Sequence, residues 1–309
     1  MKERVMWGGL VLICMSWVSN YVYFQSKQLE KPIFLEHYYE TFVDEGAQLT
    51  FYYLTNKKNS EEVSRVVIEG LEGVDVMAEG GEFWGEDETN FIHEYSHHFL
   101  KSVTLEFSEE FGWDSKEASF TFENISVYFQ DQTHLVEDVG KVTLNRLPEN
   151  DGVFENRMSS SSNQHRSDSA LLANEALTIE EITVPWPDLK EEVEIKITFD
   201  QEKLKELDAL VAGGNPPYWM DEAASKEWDE VPGTPIDQGV FPLRFDKNDW
   251  LHLNMYFHPD RASFFQFPIL LKGTTEAGKT FVDSIPIIDS PDLEQTVINK
   301  MIAEREGEN

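Results

Sequence analysis

Residues Val5 to Phe24, VMWGGLVLICMSWVSNYVYF, carry no charge, and this run constrains the chain more than any other feature. As a helix rising about 1.5 Å per residue, it spans roughly 30 Å, the thickness of a bilayer's hydrocarbon core. Ser16, Ser19 and Asn20 are its weak points, but a helix absorbs small polar groups. Lys2 and Arg4 precede the run, so the positive-inside rule keeps residues 1–4 in the cytoplasm and carries the rest across. Tyr21, Tyr23 and Phe24 close the far end, where aromatic rings favour the interface. A cleaved signal peptide shares the basic start and apolar middle, yet it needs small residues at alternate positions before the cut. The stretch from Trp17 to Tyr21 offers no such pair, and Ile13 before Cys14 argues against a lipid-modified cysteine. The expectation is an uncleaved transmembrane anchor over 5–24, in the cell membrane, with the N-terminus cytoplasmic and the bulk of the chain extracytoplasmic.

Beyond the anchor the chain is strongly acidic. Without Lys2, Glu3 and Arg4, 23 basic and 57 acidic residues remain, a net charge of about −34. Such a surface repels nucleic acid, whose affinity for proteins comes largely from cations that displace counterions. It also repels anionic lipid and wall polymers. The partners it approaches without penalty are cations, basic proteins and neutral glycans; an acidic surface also serves simple solvation. The one cysteine, Cys14, lies inside the anchor, so the exported part has no disulfide.

After a short connector, apolar and polar residues alternate in short bursts. Residues 49–54, 63–68, 103–107, 118–122, 125–129 and 138–147 read as strands, rich in aromatic and β-branched side chains and separated by Gly, Asn, Asp and Lys. Met158 to Ala170 is dense in serine and reads as a linker or exposed loop. It divides a β-rich domain over 25–157 from a second over 171–309. There, strands are expected at 177–184 and 193–199. A helix is expected over 201–212, with Asp200 as N-cap and Gly213-Gly214 as its stop. Residues 241–245 and 250–257 flank a turn at Asp246–Asp249 as a hairpin, and 264–271 pairs with 280–288 as another. A last helix starts at Ser290-Pro291, with Leu293, Val297, Ile298, Met301 and Ile302 as its docking stripe. The fold class is therefore mainly β: antiparallel sandwich-like domains behind a transmembrane helix, with a few peripheral helices.

One short motif carries sharp chemistry. His93-Glu94-Tyr95-Ser96-His97 matches H-E-x-x-H. On a helix this spacing puts both imidazoles on one face to bind zinc, while the glutamate activates the bound water. Glu117, twenty residues on, stands where a third ligand can lie. The competing pattern is a strand. Phe91, Tyr95, Phe99, Val103, Leu105 and Phe107 fall on alternate positions, and on one strand His93 and His97 stand about 13 Å apart, too far to share a metal. The strand is the preferred reading, so no catalytic, cofactor or metal residue is favoured.

Two other clusters are weaker. The loop from Asn215 through Glu230 combines Tyr218, Trp219 and Trp228 with carboxylates, a set that stacks on sugars, cages cations or pins the loop to its domain. Glu79 to Glu88 is acidic but lacks the alternating spacing of a calcium loop. The functional expectation is a non-enzymatic binding or interaction module tethered to the membrane, with a protein, glycan or cation ligand. The alternative is a membrane-anchored zinc hydrolase with His93, His97 and Glu117 as ligands and Glu94 as base.

Overall fold

A computed structural model describes residues 2–42, 47–58, 62–76, 91–112, 118–145, 151–162, 164–186, 189 and 191–307. The apolar run is helical, α1 (Lys2–Gln25). Its segment Met6–Gln25 has a mean hydropathy of 1.2, and none of it is buried against the rest of the chain. Leu29 then ties the connector to the body through a reciprocal pair of bonds with Asn56. Its N–H donates to Oδ1 and its carbonyl accepts from Nδ2, each at 2.9 Å.

The body is built from β-sheets, in agreement with the expected fold class. Its first half holds β1 (Ile33–Phe34), β2 (His37–Phe42), β3 (Gln48–Asn56), β4 (Val63–Val67), β5 (Glu72–Val76), β6 (His93–Glu94), β7 (His98–Gly112), β8 (Ser119–Phe129) and β9 (His134–Asn145). Its second half holds β10 (Phe154–Ser162), β11 (Arg166–Ala173), β12 (Leu177–Thr183), β13 (Val193–Thr198), β14 (Thr234–Pro235), β15 (Leu243–Phe245), β16 (Trp250–Phe257), β17 (Phe264–Thr275) and β18 (Thr280–Asp289).

Three sheets result. One runs β1-β3-β7-β5 with β6 also on β7, and a second runs β10-β11-β16-β13-β14. The third, in the order β15-β12-β17-β2-β9-β8-β4 with β18 along the other edge of β17, joins both halves. Pairing is antiparallel except at β2, which lies parallel to both β17 and β9. The first sheet packs on the β2-β9-β8-β4 end of the third, around Phe51, Leu105, Val127 and Val142. The second packs on the β12-β17-β18 end, around Ile179, Leu253, Ile269 and Ile287. Alternation explains which faces turn inward. Val103, Leu105 and Phe107 of β7 are buried while Ser102, Thr104 and Glu106 between them are not.

Several sequence expectations need correction. Residues 158–170 are not a loop: Met158–Ser162 belongs to β10 and Arg166–Ala170 to β11. Serine composition suggests a loop because the side chains bury little. Here, however, β11 is a central strand whose backbone is paired on both sides, by β10 and β16. Serine hydroxyls also bond across this hairpin, from Ser167 Oγ to the Ser160 carbonyl at 2.9 Å and between Ser159 and Ser169 at 3.2 Å.

The turn at Asp246–Asp249 exists, closed by the Asp246 N–H donating to the Asp249 carboxylate at 2.7 Å. It does not close a hairpin, because β15 pairs with β12 while β16 pairs with β11 and β13 in the opposite sheet. The turn at Gly278 does close one, between β17 and β18.

Helical segments cover the outer face of the second sheet. Gln201–Val211 is broken into α2 (Gln201–Leu204), a 3₁₀ turn and α3 (Asp208–Val211), and α4 (Tyr218–Ala224) comes next. Asp200 caps the first as expected, accepting the Glu202 N–H at 3.1 Å. The last helix, α5 (Gln295–Gly307), begins later than Ser290. It docks on the first half's core through Ile298, Val297, Met301 and Ile302, and Arg305 Nη2 donates to the Phe34 carbonyl at 3.2 Å.

Candidate functional site

The H-E-x-x-H residues form neither a helix nor part of one strand. His93 and Glu94 are β6, paired with Leu100 and Phe99 of β7. The Tyr95 N–H donates to the His98 carbonyl at 2.9 Å and closes a tight reversal at Tyr95-Ser96-His97-His98. Tyr95 is pinned inward, its hydroxyl donating to the Leu293 carbonyl at 2.8 Å.

Each motif residue has its own environment. The His93 ring lies 4.6 Å from that of Tyr95, and Glu94 forms an ion pair with Lys57. His97 meets the rings of Tyr23 and Phe24 in the last turns of α1, at 6.1 and 6.0 Å. The helical face that would place both imidazoles on one metal is therefore not formed. Glu117 lies outside the described residues, and among those described no group of three or more His, Cys, Asp or Glu is close enough to hold a metal.

The same reversal corrects the single long strand expected from Phe91 to Phe107. Phe91 and Phe99 stack at 4.4 Å across the hairpin, and Phe99 is only half-buried. The buried neighbour is His98, whose Nε2 donates to the Lys27 carbonyl at 2.8 Å. Burial lowers the pKa of His98, assisted by nearby His97, Lys27 and Lys57 and opposed by that carbonyl.

A second polar constellation lies on the outer face of β11 and β16, beneath the helical cover. Register places Asp168 opposite Asn254 and Ala170 opposite His252. Alternation puts these four on one face. His252 is 1% exposed, with the Trp219 ring edge-on at 5.2 Å. Asn254 Nδ2 approaches His252 Nδ1 at 3.3 Å, which makes that nitrogen the acceptor and leaves the proton on Nε2. Nε2 then points at Asp168 Oδ1, 3.5 Å away, while Ser160 Oγ donates to the other carboxylate oxygen.

Between these groups and Met220, Ala223 and Trp228 is a cavity of about 50 Å³. It has room for one or two water-sized groups. Serine, histidine and aspartate meet here in the wrong order for nucleophilic catalysis. Ser160 is bonded to the carboxylate and not to the imidazole, so no base faces its hydroxyl. What the arrangement can do is hold a small polar group or knit the cover to the sheet. These residues lie up to 94 positions apart, and only strand register brings them together.

The aromatic loop is divided. Trp228 is buried, stacked on Tyr256 at 5.4 Å, with Lys196 Nζ 4.5 Å from its ring centre and its Nε1 donating to Glu194 at 2.7 Å. It pins the loop. Tyr218, at 79% exposure, is the ring left facing solvent. The acidic stretch 79–88 lies outside the described residues.

No family model matches the chain, and no curated protein sequence does. Among solved structures it is similar to a collagen adhesin from S. aureus, with 8% identity over 80% of this chain and 90% of that one, at a TM-score of 0.22. Similarity at that level identifies neither a shared topology nor a shared ligand.

Proposed function

We propose that the chain is a single-pass membrane protein whose β-body, from Gln25 onward, acts outside the cytoplasm as a binding or interaction module. The observation that carries this reading is the isolation of α1: a charge-free helix long enough to span a bilayer, with none of its surface covered by the body. In water such a helix exposes Leu12, Trp17 and Val18 at 62–76% of their area, a cost that lipid removes. Lys2 and Arg4 on its short side orient it with the N-terminus in the cytoplasm. Residues 25–157 and 171–309 make two lobes of one exported body, each with its own pair of packed sheet faces.

The body's charge selects its partners. Cations, basic proteins and neutral glycans approach a surface of net charge about −34 without repulsion, whereas nucleic acid does not. Binding in place of chemistry is supported by the polar cluster at His252, whose hydrogen bonds satisfy one another and leave no activated nucleophile.

The test is protease accessibility. Added to intact spheroplasts, protease is expected to digest the body while a cytoplasmic control protein survives. Protection of the body under conditions that degrade a known exported domain rules the topology out.

A further inference from the structure

Most of this chain is acidic, yet the place where α1 meets the body collects cations. His97 packs against Tyr23 and Phe24, and its carbonyl accepts the Lys57 N–H at 3.2 Å. Lys27 stands two residues past the end of the helix, with Nζ 5.9 Å from the Tyr23 ring centre and its carbonyl bonded to His98. His97, Lys27 and Lys57 all lie near enough to His98 to disfavour its protonated form. Lys58 comes directly after Lys57 and is exposed. The opposing acids among these contacts are Glu94, paired with Lys57, and Asp292, near the Tyr95 hydroxyl.

From this we propose that the Tyr95–His98 turn, with Lys27 and Lys58 beside it, rests on the phosphate layer at the outer face of the membrane and holds the body upright there. This rests on the anchor reading above. If α1 spans the bilayer, Tyr23 and Phe24 mark the headgroup level, and whatever touches them lies at that level too. The turn touches both rings, and two contacts fix it in place: Leu29 to Asn56 and Lys27 to His98.

Charge complementarity names the occupant. Phospholipid phosphates are anionic, and juxtamembrane lysines are drawn to them. The same attraction offsets the repulsion that a body of net charge about −34 meets at an anionic surface. The lysines thus serve as a local collar on a chain that otherwise avoids such lipid, and the anchor is a rigid mount in place of a loose tether.

The test uses the full chain in vesicles, with Cys14→Ser removing the native thiol. A spin label on Ser96→Cys reads collisions with a nickel chelate tethered to lipid headgroups. Labels on Tyr218→Cys, in the other lobe, and Met6→Cys, inside the anchor, serve as comparisons. The expected result is a stronger headgroup collision at Ser96 than at Tyr218 in vesicles containing phosphatidylglycerol. Adding Lys27→Gln and Lys58→Gln is expected to weaken it roughly twofold or more.

Equal collision at Ser96 and Tyr218, with Met6 in the oxygen-rich bilayer core, overturns the mount while sparing the anchor. A water-exposed Met6 label overturns the anchor itself. Collision unchanged by the two lysine substitutions overturns the role given to charge.

Discussion

The imidazole of His37 accepts the backbone N–H of Tyr52 on Nε2 at 3.0 Å, joining two sheets at the centre of the first lobe. Its other nitrogen, Nδ1, therefore carries the proton and donates to the Val139 carbonyl at 3.1 Å. Four rings surround it, from Tyr39, Phe51, Tyr52 and Phe264. A second ring proton has no place there, and burial pushes the pKa of His37 down to about 3.

This predicts acid sensitivity. In the unfolded chain His37 titrates near the usual 6.5, while the folded form stays neutral to about 3. Stability is complete above the unfolded value and is lost as pH falls through that window, with a slope of about 1.4 kcal/mol per pH unit from this residue. Denaturant midpoints measured from pH 7 to pH 4.5 should fall, and His37→Phe should flatten the slope even though it lowers stability at pH 7. A slope unchanged by the substitution would assign the acid sensitivity elsewhere.

Gly140 lies opposite His37 in the parallel ladder, with φ +84°. A Cβ there would stand 2.5 Å from the His37 carbonyl oxygen and 2.6 Å from its nitrogen. Gly140→Ala is expected to cost more than roughly 2 kcal/mol, combining backbone strain with that clash. Gly239, at φ +69° with open space around it, should lose only about 1 kcal/mol on the same change. Equal losses in urea titrations would show that the close approach is relieved cheaply.

Zinc at the H-E-x-x-H residues is expected to be absent. The full chain, purified in detergent without chelator, should carry much less than one equivalent of zinc, and His93→Ala or His97→Ala should not change the amount. Stoichiometric metal in the wild type that both substitutions remove would restore the hydrolase reading, with Glu94→Gln as the next variant to assay.

Phe99 separates a hairpin from a core strand. Half-buried and stacked on Phe91, it should cost about 1–2 kcal/mol on truncation to alanine. Phe51, fully buried, should cost about 3–5 kcal/mol. Comparable losses for the two would place Phe99 in the core.

Trypsin reports on the serine hairpin. Arg166 Nη1 donates to the carbonyls of Ala224 and Lys226, and its guanidinium sits 6.0 Å from the Tyr256 ring centre. Cleavage after Arg166 should await global unfolding, since its backbone is paired in a central strand. Early cutting at this bond would mean that the hairpin opens by itself.

The sequence alone determined those features that depend on local pattern. A charge-free run of bilayer length is legible because its free energy is set residue by residue, and alternation at Val103, Leu105 and Phe107 is legible because a strand has period 2. The Asp200 cap and the Gly278 hairpin were readable for the same reason, since their partners lie within a few residues. What only the tertiary structure decided were choices among partners distant in the chain. Serines 159–162 became strand because β11 offered a ladder, and the strands around Asp246–Asp249 parted because each found a better neighbour in a different sheet. His93 and His97 keep their spacing in any conformation, but the reversal at Tyr95–His98 sets where their rings go. That reversal is held by contacts with Leu293, Lys57 and the end of α1, which no local pattern encodes.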